Sequence, residues 1–314
     1  MPKVLITTSS FNVAAAESLA LLGQAGYEIV TNPHGRKLTE DEAAALLGDD
    51  VAGMIAGTEP LNRRVLSGAR GLKVVSRCGI GLDSVDLAAA RELGIEVTNT
   101  PDAPSAAVAE LTLGLILDQL RRISQADRQI RAGQWKPLMG GLLAARTVGI
   151  IGFGRIGRRV AHLVRAFGAR VLAYDAAGVE SDGIADSSAL EPLLAAADIV
   201  TLHIPSQKAP GHFLDAVRIG LMKRGAVLVN TARGDLVDEA ALAQAIRDGR
   251  LGGAALDTYE KEPYAGPLAE LPQVVLTAHM GSYAEESRGI MEREAADNLF
   301  RGLAARGLVA GRIA

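Results

Sequence analysis

Three side chains suited to proton transfer and carboxylate binding follow short apolar runs in the second half of the sequence: Arg233, Glu262 and His279. A planar guanidinium binds a carboxylate through paired hydrogen bonds. An imidazole exchanges a proton near neutral pH, and a neighbouring carboxylate orients the ring and stabilises its cation. This set predicts oxidation of a 2-hydroxy acid, in which His279 removes the hydroxyl proton while a hydride leaves C2.

Each of these residues also has a simpler interpretation when it is taken alone. An Arg after a strand commonly forms a surface ion pair, a Glu before Pro is commonly a loop residue, and a His after a strand is commonly a hydrogen-bonded structural group. The catalytic interpretation is favoured because all three follow strands of one predicted dinucleotide-binding unit. Ligands of doubly wound sheets bind at the carboxyl ends of the strands.

The dinucleotide-binding unit is indicated by the sequence Gly-Phe-Gly-Arg-Ile-Gly, which joins an apolar strand to a predicted helix. Gly152 permits a tight turn, Gly154 lets a pyrophosphate approach the backbone, and Gly157 lets the helix pack closely on the strand. The first helical turn contains Arg155 and Ile156. It presents amide groups and the positive end of the helix dipole to the phosphates.

An acidic residue ends the next predicted strand. Asp175 lies about 20 residues after the glycines, where a carboxylate binds the ribose hydroxyls of the cofactor. The same carboxylate would repel a 2′-phosphate, and residues 176–178 contain no Arg or Lys to neutralise one. The sequence therefore predicts NAD, rather than NADP, as the cofactor.

Composition excludes several other classes of function. The chain has 314 residues, a formal net charge of −3 and a single cysteine, Cys78. The charge argues against a nucleic-acid partner, and no apolar run reaches the roughly 18 residues of a membrane span. One cysteine excludes an internal disulfide and a Cys-based zinc cluster, so no metal site is predicted. The N-terminus lacks a signal-peptide pattern, and we expect a cytoplasmic protein.

Short apolar strands alternate with amphipathic helices along both halves of the chain, which predicts two doubly wound parallel α/β sheets. The strands are expected at residues 3–7, 27–30, 51–56, 72–76, 95–98, 148–151, 170–174, 199–203, 226–230, 253–256 and 274–276. Helices are expected at residues 14–22, 82–93, 156–167 and 285–303, and Thr39 with Glu42 forms a capping box. A long helix at residues 105–131 is expected to connect the domains.

Several motifs, in the same order, resemble the D-isomer-specific 2-hydroxyacid dehydrogenase family. Besides the segments already described, the resemblance is carried by residues 77–86, 94–95, 99–101 and 108–111. It implies a Rossmann NAD-binding domain at residues 100–282 and a flavodoxin-like substrate domain made of residues 1–99 and 283–314, with the active site in the cleft between them. It also implies a homodimer, which we expect to form through residues 105–131.

The functional positions of the family map onto this sequence residue by residue. Its catalytic Arg, Glu and His match Arg233, Glu262 and His279. The resemblance implies cofactor contacts from the glycine motif and Asp175, and from a further set of positions: Thr100, His203, Ile204, Pro205, Thr231, Ala232, Asp257 and Gly281. Among these, Asp257 matches the residue that binds the nicotinamide carboxamide.

Substrate contacts are implied at a turn in the first half of the chain: Arg77, Cys78, Gly79, Ile80 and Gly81. Consecutive amide groups beside glycines form a nest that can bind the substrate carboxylate. Arg77 and Lys136 are the candidates for holding a distal phosphate, if the substrate has one.

The substrate is expected to be a small anionic 2-hydroxy or 2-keto acid. The motifs are most similar to those of 3-phosphoglycerate dehydrogenases, and we expect no C-terminal regulatory domain of the kind that some of those enzymes carry. Reduction of hydroxypyruvate or glyoxylate is the alternative within the family. An alternative of another class is a non-catalytic NAD-binding scaffold or corepressor, which the presence of all three catalytic candidates disfavours.

Overall fold

The computed structural model of the chain describes residues 1–180, 183–206 and 211–310. The chain divides into two compact units, of which unit 1 comprises residues 1–104 and 282–314 and unit 2 comprises residues 105–281. Residues 311–314 of the predicted substrate domain lie outside the described residues. The first boundary falls five residues later than the predicted one, because the backbone of Thr100 is hydrogen-bonded to Gly79 in unit 1 at 3.1 Å.

Within the described residues there are twelve strands, numbered in chain order. They are β1 (Lys3–Ile6), β2 (Glu28–Thr31), β3 (Val51–Ala56), β4 (Val74–Arg77), β5 (Glu96–Asn99), β6 (Thr147–Ile151), β7 (Arg170–Tyr174), β8 (Asp186–Ser187), β9 (Ile199–Leu202), β10 (Val227–Asn230), β11 (Gly253–Leu256) and β12 (Val274–Leu276). Eleven of them correspond to predicted strands. The exception, β8, has two exposed residues and no apolar run that could reveal it.

The same described ranges contain eleven α-helices. They are α1 (Glu17–Gln24), α2 (Glu40–Leu46), α3 (Arg63–Gly68), α4 (Leu87–Glu92), α5 (Ser105–Arg121), α6 (Ile123–Arg131), α7 (Arg155–Ala166), α8 (Leu190–Ala196), α9 (Ala216–Leu221), α10 (Glu239–Arg247) and α11 (Glu285–Ala305). The predicted capping box is confirmed at α2, where the Thr39 hydroxyl accepts from the Glu42 amide and the Glu42 carboxylate accepts from the Thr39 amide.

Two predicted helices were too long. Helix α4 begins at Leu87 rather than at residue 82, because the Asp86 carboxylate accepts from the Ala89 amide and caps the first turn. The helix predicted at residues 105–131 is two helices. Arg122 has a positive φ of 55° between them, and the Asp118 carboxylate accepts from the Ser124 amide at 2.8 Å, which starts α6.

Unit 1 is a parallel five-stranded sheet, within the described residues, of strand order β2-β1-β3-β4-β5. This is the flavodoxin-like doubly wound order, in which the switch point lies between β1 and β3. Helix α11 supplies Leu299, Phe300 and Leu303 to the core on one face of this sheet. The approach is close, because a Cβ at Gly53 would lie 2.6 Å from Cδ1 of Leu299.

Unit 2 is a parallel seven-stranded sheet, again counting described residues, of order β12-β11-β10-β9-β6-β7-β8. Strand β6 lies in the middle, with β7 and β8 on one side and β9 to β12 on the other, as in the Rossmann order. The predicted fold class of two doubly wound parallel sheets is therefore confirmed.

The sequences of the unit 2 strands are nearly continuous apolar runs, because helices cover both faces of a parallel sheet. Ile151, Leu228 and Leu256 belong to one buried cluster, and Ile150, Val229 and Ala255 belong to another. Successive residues thus point to opposite faces, and the polar residues that follow each strand are left at its carboxyl end. No helix in the described ranges is both long enough and apolar enough to cross a lipid bilayer.

Candidate functional site

The glycine motif forms the turn between β6 and α7 in unit 2. Gly152 has φ of 95°, and a Cβ at this position would lie 2.4 Å from the carbonyl oxygen of His203. A Cβ at Gly157 would lie 2.0 Å from the carbonyl oxygen of Gly152, whereas a Cβ at Gly154 would meet nothing within 4 Å. Gly152 and Gly157 are therefore required by internal packing, and Gly154 faces the space that a ligand needs.

Helix α7 begins at Arg155, directly after Gly154, so that its positive end opens beside that space. Arg155 is exposed, and Ile156 is half-buried and packs against the core of unit 2. These features match the requirements of a pyrophosphate group, which needs backbone amides and a close approach.

Asp175 lies directly after β7 and beside the glycine loop. Its Oδ2 accepts from the amide of Phe153 at 2.7 Å, and its Oδ1 accepts from the amide of Ala177 at 2.9 Å. A carboxylate oxygen can accept more than one hydrogen bond. The contacts therefore fix the orientation of Asp175 at the strand end, where acceptor capacity remains for ribose hydroxyls.

The loop after β9 packs on the other side of the glycine turn. His203 and Ile204 both contact the position where Gly152 has no side chain, and the exposed Pro205 follows them. Nε2 of His203 lies 3.0 Å from the Thr201 hydroxyl, and burial lowers the pKa of His203 to about 3. This histidine is therefore neutral at pH 7 and shapes the loop rather than transferring a proton.

The segment that carries Arg233 is shaped by the asparagine that ends β10. The Asn230 side chain donates to the carbonyl of Arg233 at 2.8 Å and accepts from the amide of Ala232 at 3.0 Å. The Thr231 hydroxyl lies 2.8 Å from that of Thr112 in α5. The loop is thus held by Asn230 and Thr231, and the Arg233 guanidinium donates through one nitrogen to the Ala232 carbonyl at 2.7 Å.

The Arg233 loop and the Glu262 loop meet at a single glycine. A Cβ at Gly234 would lie 1.8 Å from the carbonyl carbon of Tyr259, so that only glycine fits between the two segments. Tyr259 is buried and donates through its hydroxyl to the carbonyls of Leu256 and Thr277, at 2.9 and 2.8 Å. This one side chain therefore ties together the segments after β11 and β12.

His279 and Glu262 form a direct pair in the structure. Nδ1 of His279 lies 3.0 Å from both carboxylate oxygens of Glu262, and the imidazole is 41% exposed while Glu262 is 28% exposed. With Nδ1 held by the carboxylate, Nε2 is the ring atom available to a reacting group. The structure thus brings together the histidine and the carboxylate that the sequence predicts, as a hydrogen-bonded pair.

A buried aspartate fixes the turn that carries His279. Asp257 accepts from the Thr277 hydroxyl at 2.6 Å, from the Met280 amide at 2.8 Å and from the Gly281 amide at 2.8 Å. His279 itself has φ of 51°, which is uncommon for a residue with a side chain. The hydrogen bonds of Asp257 hold this conformation, so its position in the structure is that of a support for His279.

Three residues of the turn at residues 77–81 in unit 1 have contacts other than those expected, namely Gly79, Arg77 and Cys78. The Gly79 amide donates to the Thr100 hydroxyl at 2.8 Å, so this amide is already used and cannot grip a carboxylate. Thr100, predicted to contact the cofactor, is instead buried as the partner of Gly79. The amides of Ile80 and Gly81 bond to no acceptor in the described part of the chain.

The side chains of Arg77 and Cys78 also lie elsewhere than expected. The Cys78 thiol is packed in the core of unit 1, and burial raises its pKa to about 11. The Arg77 guanidinium donates to the carbonyl of Cys78 and lies against Gly79. Both side chains therefore build the turn, and only its amides at Ile80 and Gly81 are left without an acceptor in the described part of the chain.

Sequence reasoning missed Asn230, Gly234, Tyr259 and Thr277 as supports of the site. Asn230 and Gly234 flank Arg233 in the sequence, and their types, an amide after a strand and a glycine after an Arg, are a local signal for a tight turn. Tyr259 and Thr277 had no such signal, because their partners lie on other strands.

Comparison with known proteins identifies the chain. A sequence profile of the D-isomer specific 2-hydroxyacid dehydrogenase NAD-binding domain matches residues 113–281. The chain belongs to the D-isomer-specific 2-hydroxyacid dehydrogenase family. The predicted resemblance is confirmed, and unit 2 is the NAD-binding domain of this family.

Relatives within the dehydrogenase family have different named substrates. The chain is 37% identical to a D-3-phosphoglycerate dehydrogenase of Methanocaldococcus jannaschii over 98% of its own length and 59% of that protein. It is 35% identical to a hydroxypyruvate reductase of Thermotoga maritima over 87% of its own length and 90% of that protein. The chain thus spans about three-fifths of the first relative's length and nearly all of the second's.

A solved structure supports the same assignment. The glyoxylate/hydroxypyruvate reductase of Sinorhizobium meliloti, described as NADPH-dependent, superposes with a TM-score of 0.83 at 30% identity. The alignment covers 100% of this chain and 98% of that one. The two relatives and this structure agree on the family, but the substrates in their names differ, and the structure alone is described with a cofactor, NADPH.

Proposed function

We propose that this dehydrogenase transfers a hydride between NAD(H) and a small anionic 2-hydroxy or 2-keto acid. The observation that carries the proposal is the His279–Glu262 pair at 3.0 Å, supported on a turn that Asp257 fixes. A scaffold without catalysis has no use for an exposed imidazole held by a carboxylate in a left-handed turn, and this disfavours the corepressor alternative.

In the proposed mechanism, His279, Glu262 and Arg233 each have one task. A bound nicotinamide would supply the hydride-transfer chemistry at C2 of the acid. Nε2 of His279 takes the hydroxyl proton in oxidation, and Glu262 stabilises the imidazolium that results. In reduction, protonated His279 returns that proton, and the Arg233 guanidinium polarises the keto oxygen.

The carboxylate of the substrate has a separate candidate partner in unit 1. We assign it to the amides of Ile80 and Gly81, two consecutive donors beside a glycine turn that the Thr100 hydroxyl holds in shape. Gly79 is not included, since its amide is used internally.

The cofactor is proposed to be NAD rather than NADP. The glycine turn, the first turn of α7 and the space beside Gly154 fit the pyrophosphate, and Asp175 fits the adenosine ribose. The fixed carboxylate of Asp175 would repel a 2′-phosphate, and residues 176–178 provide no compensating cation. Ile204, Pro205, Thr231 and Ala232 are proposed to line the same cofactor site, because they lie at neighbouring strand ends.

The cofactor proposal is tested by the ratio of kcat/KM for NADH and NADPH. We expect NADH to be preferred by at least about 100-fold, and Asp175→Ala to narrow the ratio by weakening NADH use and removing the repulsion. Equal use of both cofactors by the unaltered protein would contradict the proposal, whatever the variant does.

The chain is proposed to act as a homodimer through the region that follows α5. Five large apolar side chains are exposed there: Ile123, Ile130, Trp135, Met139 and Leu142, of which Trp135 is 89% exposed. Several large apolar side chains exposed within one segment are typical of an interface. Light scattering on a size-exclusion column should give the dimer mass, and Trp135→Glu should reduce it to that of a monomer. A monomeric mass for the unaltered chain would refute the assignment.

The activity itself is tested with NADH and a panel of glyoxylate, pyruvate, hydroxypyruvate and phosphohydroxypyruvate. We expect turnover of at least one of these 2-keto acids, abolished in His279→Gln. The relative rates with the same panel distinguish reduction of hydroxypyruvate or glyoxylate from the phosphoglycerate reaction, which is measured in reverse with phosphohydroxypyruvate. If NADH binds and no member of the panel reacts, the non-catalytic alternative is favoured instead.

A further inference from the structure

The strand ends of unit 1 contain a buried polar group that the proposed reaction does not use. Glu59 is 1% exposed and lies just after β3, beside the residues that follow β1. Its Oε1 accepts from the Thr7 hydroxyl and, at 3.1 Å, from the Gly57 amide. The Thr7 hydroxyl in turn accepts from the Gly57 amide at 3.3 Å. Two strand ends are joined by one carboxylate.

The location is the topological switch point of this sheet. In the order β2-β1-β3-β4-β5, connections leave in opposite directions from β1 and β3, and ligands of such sheets bind in the crevice outside these ends. A second polar group in the same place lacks a partner among the described residues, since the Thr8 hydroxyl is buried and makes no hydrogen bond. Thr8 as a whole is 9% exposed.

The switch point is next to the turn that is proposed to bind the substrate carboxylate. Strand β3 pairs with β4 so that Ala56 is opposite Arg77, and the Cys78 amide donates to the Ala56 carbonyl at 2.9 Å. The residues after β3 and those after β4 therefore leave the sheet side by side. The Glu59 segment and the amides of Ile80 and Gly81 thus belong to neighbouring strand ends of one sheet.

The charge at this place opposes a distal phosphate. Residues 56–59 contain no Lys or Arg, and both described contacts of Glu59 fall on Oε1, so Oε2 is an acceptor for a hydroxyl. The nearest cations in sequence, Arg63 and Arg64, pair with carboxylates of Glu92, Glu40 and Asp41. Arg77 donates to its own turn at Cys78. Arg288 donates to Ser10 and pairs with Glu292 at 2.8 Å. The cations of this edge are therefore occupied by internal contacts.

We propose that Glu59 is a specificity-determining residue, which favours 2-keto acids with a hydroxyl on the distal carbon and rejects those with a phosphate there. The proposal rests on the proposed function and narrows its substrate class. A hydroxyl donates to Oε2, whereas a phosphate brings like charge against a carboxylate that little water screens. The earlier assignment of Arg77 as a phosphate anchor is replaced by this one.

The test compares three NADH-dependent reductions in the full chain. For the unaltered protein we expect kcat/KM for hydroxypyruvate to exceed that for phosphohydroxypyruvate by at least about 100-fold. Glu59→Gln keeps an oxygen for Thr7 and Gly57 but removes the charge. We expect it to raise kcat/KM for phosphohydroxypyruvate about tenfold. The kcat/KM for glyoxylate, which has no distal carbon, should change by less than about twofold.

Glu28→Gln is the matched control, because it removes the same charge from the start of β2, at the opposite edge of the same sheet. It should leave all three values unchanged. Thermal unfolding of each variant separates a folding defect from a change in specificity, and Glu59→Asp provides a second variant that retains the charge and should retain the rejection.

The results that overturn this inference differ from those that overturn the proposed function. Turnover of none of the three keto acids refutes the function. Turnover of phosphohydroxypyruvate as efficient as that of hydroxypyruvate, or an unchanged ratio in Glu59→Gln, refutes the role of Glu59 and leaves the function standing.

Discussion

The two units have sheets of the same kind, but the carboxyl ends of their strands carry different chemistry. In unit 2 the groups there are paired within the chain: His279 with Glu262, and Asp257 with three donors. In unit 1 the turn after β4 offers two backbone amides, and a single carboxylate, Glu59, lies buried beside it. A doubly wound sheet thus fixes where a site forms, and the residues after each strand decide its chemistry.

The largest expected effect follows from the acid–base pair of unit 2. His279→Gln retains a hydrogen-bonding side chain but cannot shuttle the proton, so kcat should fall by about 1,000-fold or more. NADH affinity, measured by fluorescence titration, should change by less than about threefold, because the glycine loop is untouched. If kcat of the variant stays within tenfold of the original, unit 2 does not carry the proton transfer, and the contrast between the units is lost.

The next effect separates packing from binding within the glycine motif. Gly157→Ala forces a Cβ to within 2.0 Å of the Gly152 carbonyl oxygen, and we expect it to lower the free energy of unfolding by about 3 kcal/mol. Gly154→Ala meets open space and should leave the unfolding energy within about 1 kcal/mol while weakening NADH binding. Chemical denaturation and NADH titration measure the two effects, and equal losses of stability in the two variants would contradict the distinction.

A smaller effect should make unit 2 the acid-sensitive half of the molecule. Burial lowers the pKa of His203 from 6.5 to about 3, so between these values the unfolded chain binds more protons than the folded one. Stability that is present above pH 6.5 is therefore lost as the pH falls toward 3, by at most about 1.4 kcal/mol per pH unit. In unit 1 the one histidine, His34, is exposed.

Hydrogen exchange measured from pH 7 to pH 5 checks this difference. We expect β9 and β10 to lose protection before β1 and β3, and His203→Gln to reduce the loss. Equal sensitivity of both sheets in the original chain would show that another group governs acid unfolding.

The smallest effect is confined to unit 1. Thr39→Ala removes the hydroxyl that accepts from the Glu42 amide and should cost about 1 kcal/mol of unfolding free energy. Denaturant unfolding measures this cost, and kcat/KM should not change, because the described hydrogen bonds of Thr39 and Glu42 join them to each other and to Arg36 and not to a residue of the proposed site. A change in kcat/KM would show that the stability of unit 1 affects the reaction.

The strand pattern was predictable because it depends on local composition. β3, β7, β11 and β12 have the predicted bounds, since buried parallel strands are short apolar runs that end in polar residues. The catalytic candidates were found for a related reason, as each lies within a few residues after the end of such a run. The family and the fold class were confirmed, and the site roles remain proposals.

The features that sequence did not reveal depend on partners distant along the chain. The Gly79 amide is used by Thr100, 21 residues away, and the Tyr259 hydroxyl donates to the carbonyl of Thr277, which follows another strand. The left-handed Arg122 divides a segment whose composition favours one continuous helix. In each case a hydrogen bond formed only in the folded chain decides between conformations that the sequence allows equally.

The discontinuity of unit 1 has a consequence for biosynthesis. The core beneath its sheet needs Leu299, Phe300 and Leu303 of α11, which a ribosome makes after all of unit 2. The uninterrupted half can therefore mature on the emerging chain, while the half that was translated first still exposes an apolar sheet face. Domains usually fold in the order of their synthesis, whereas here the core of the half that is made first stays incomplete until α11 has left the ribosome.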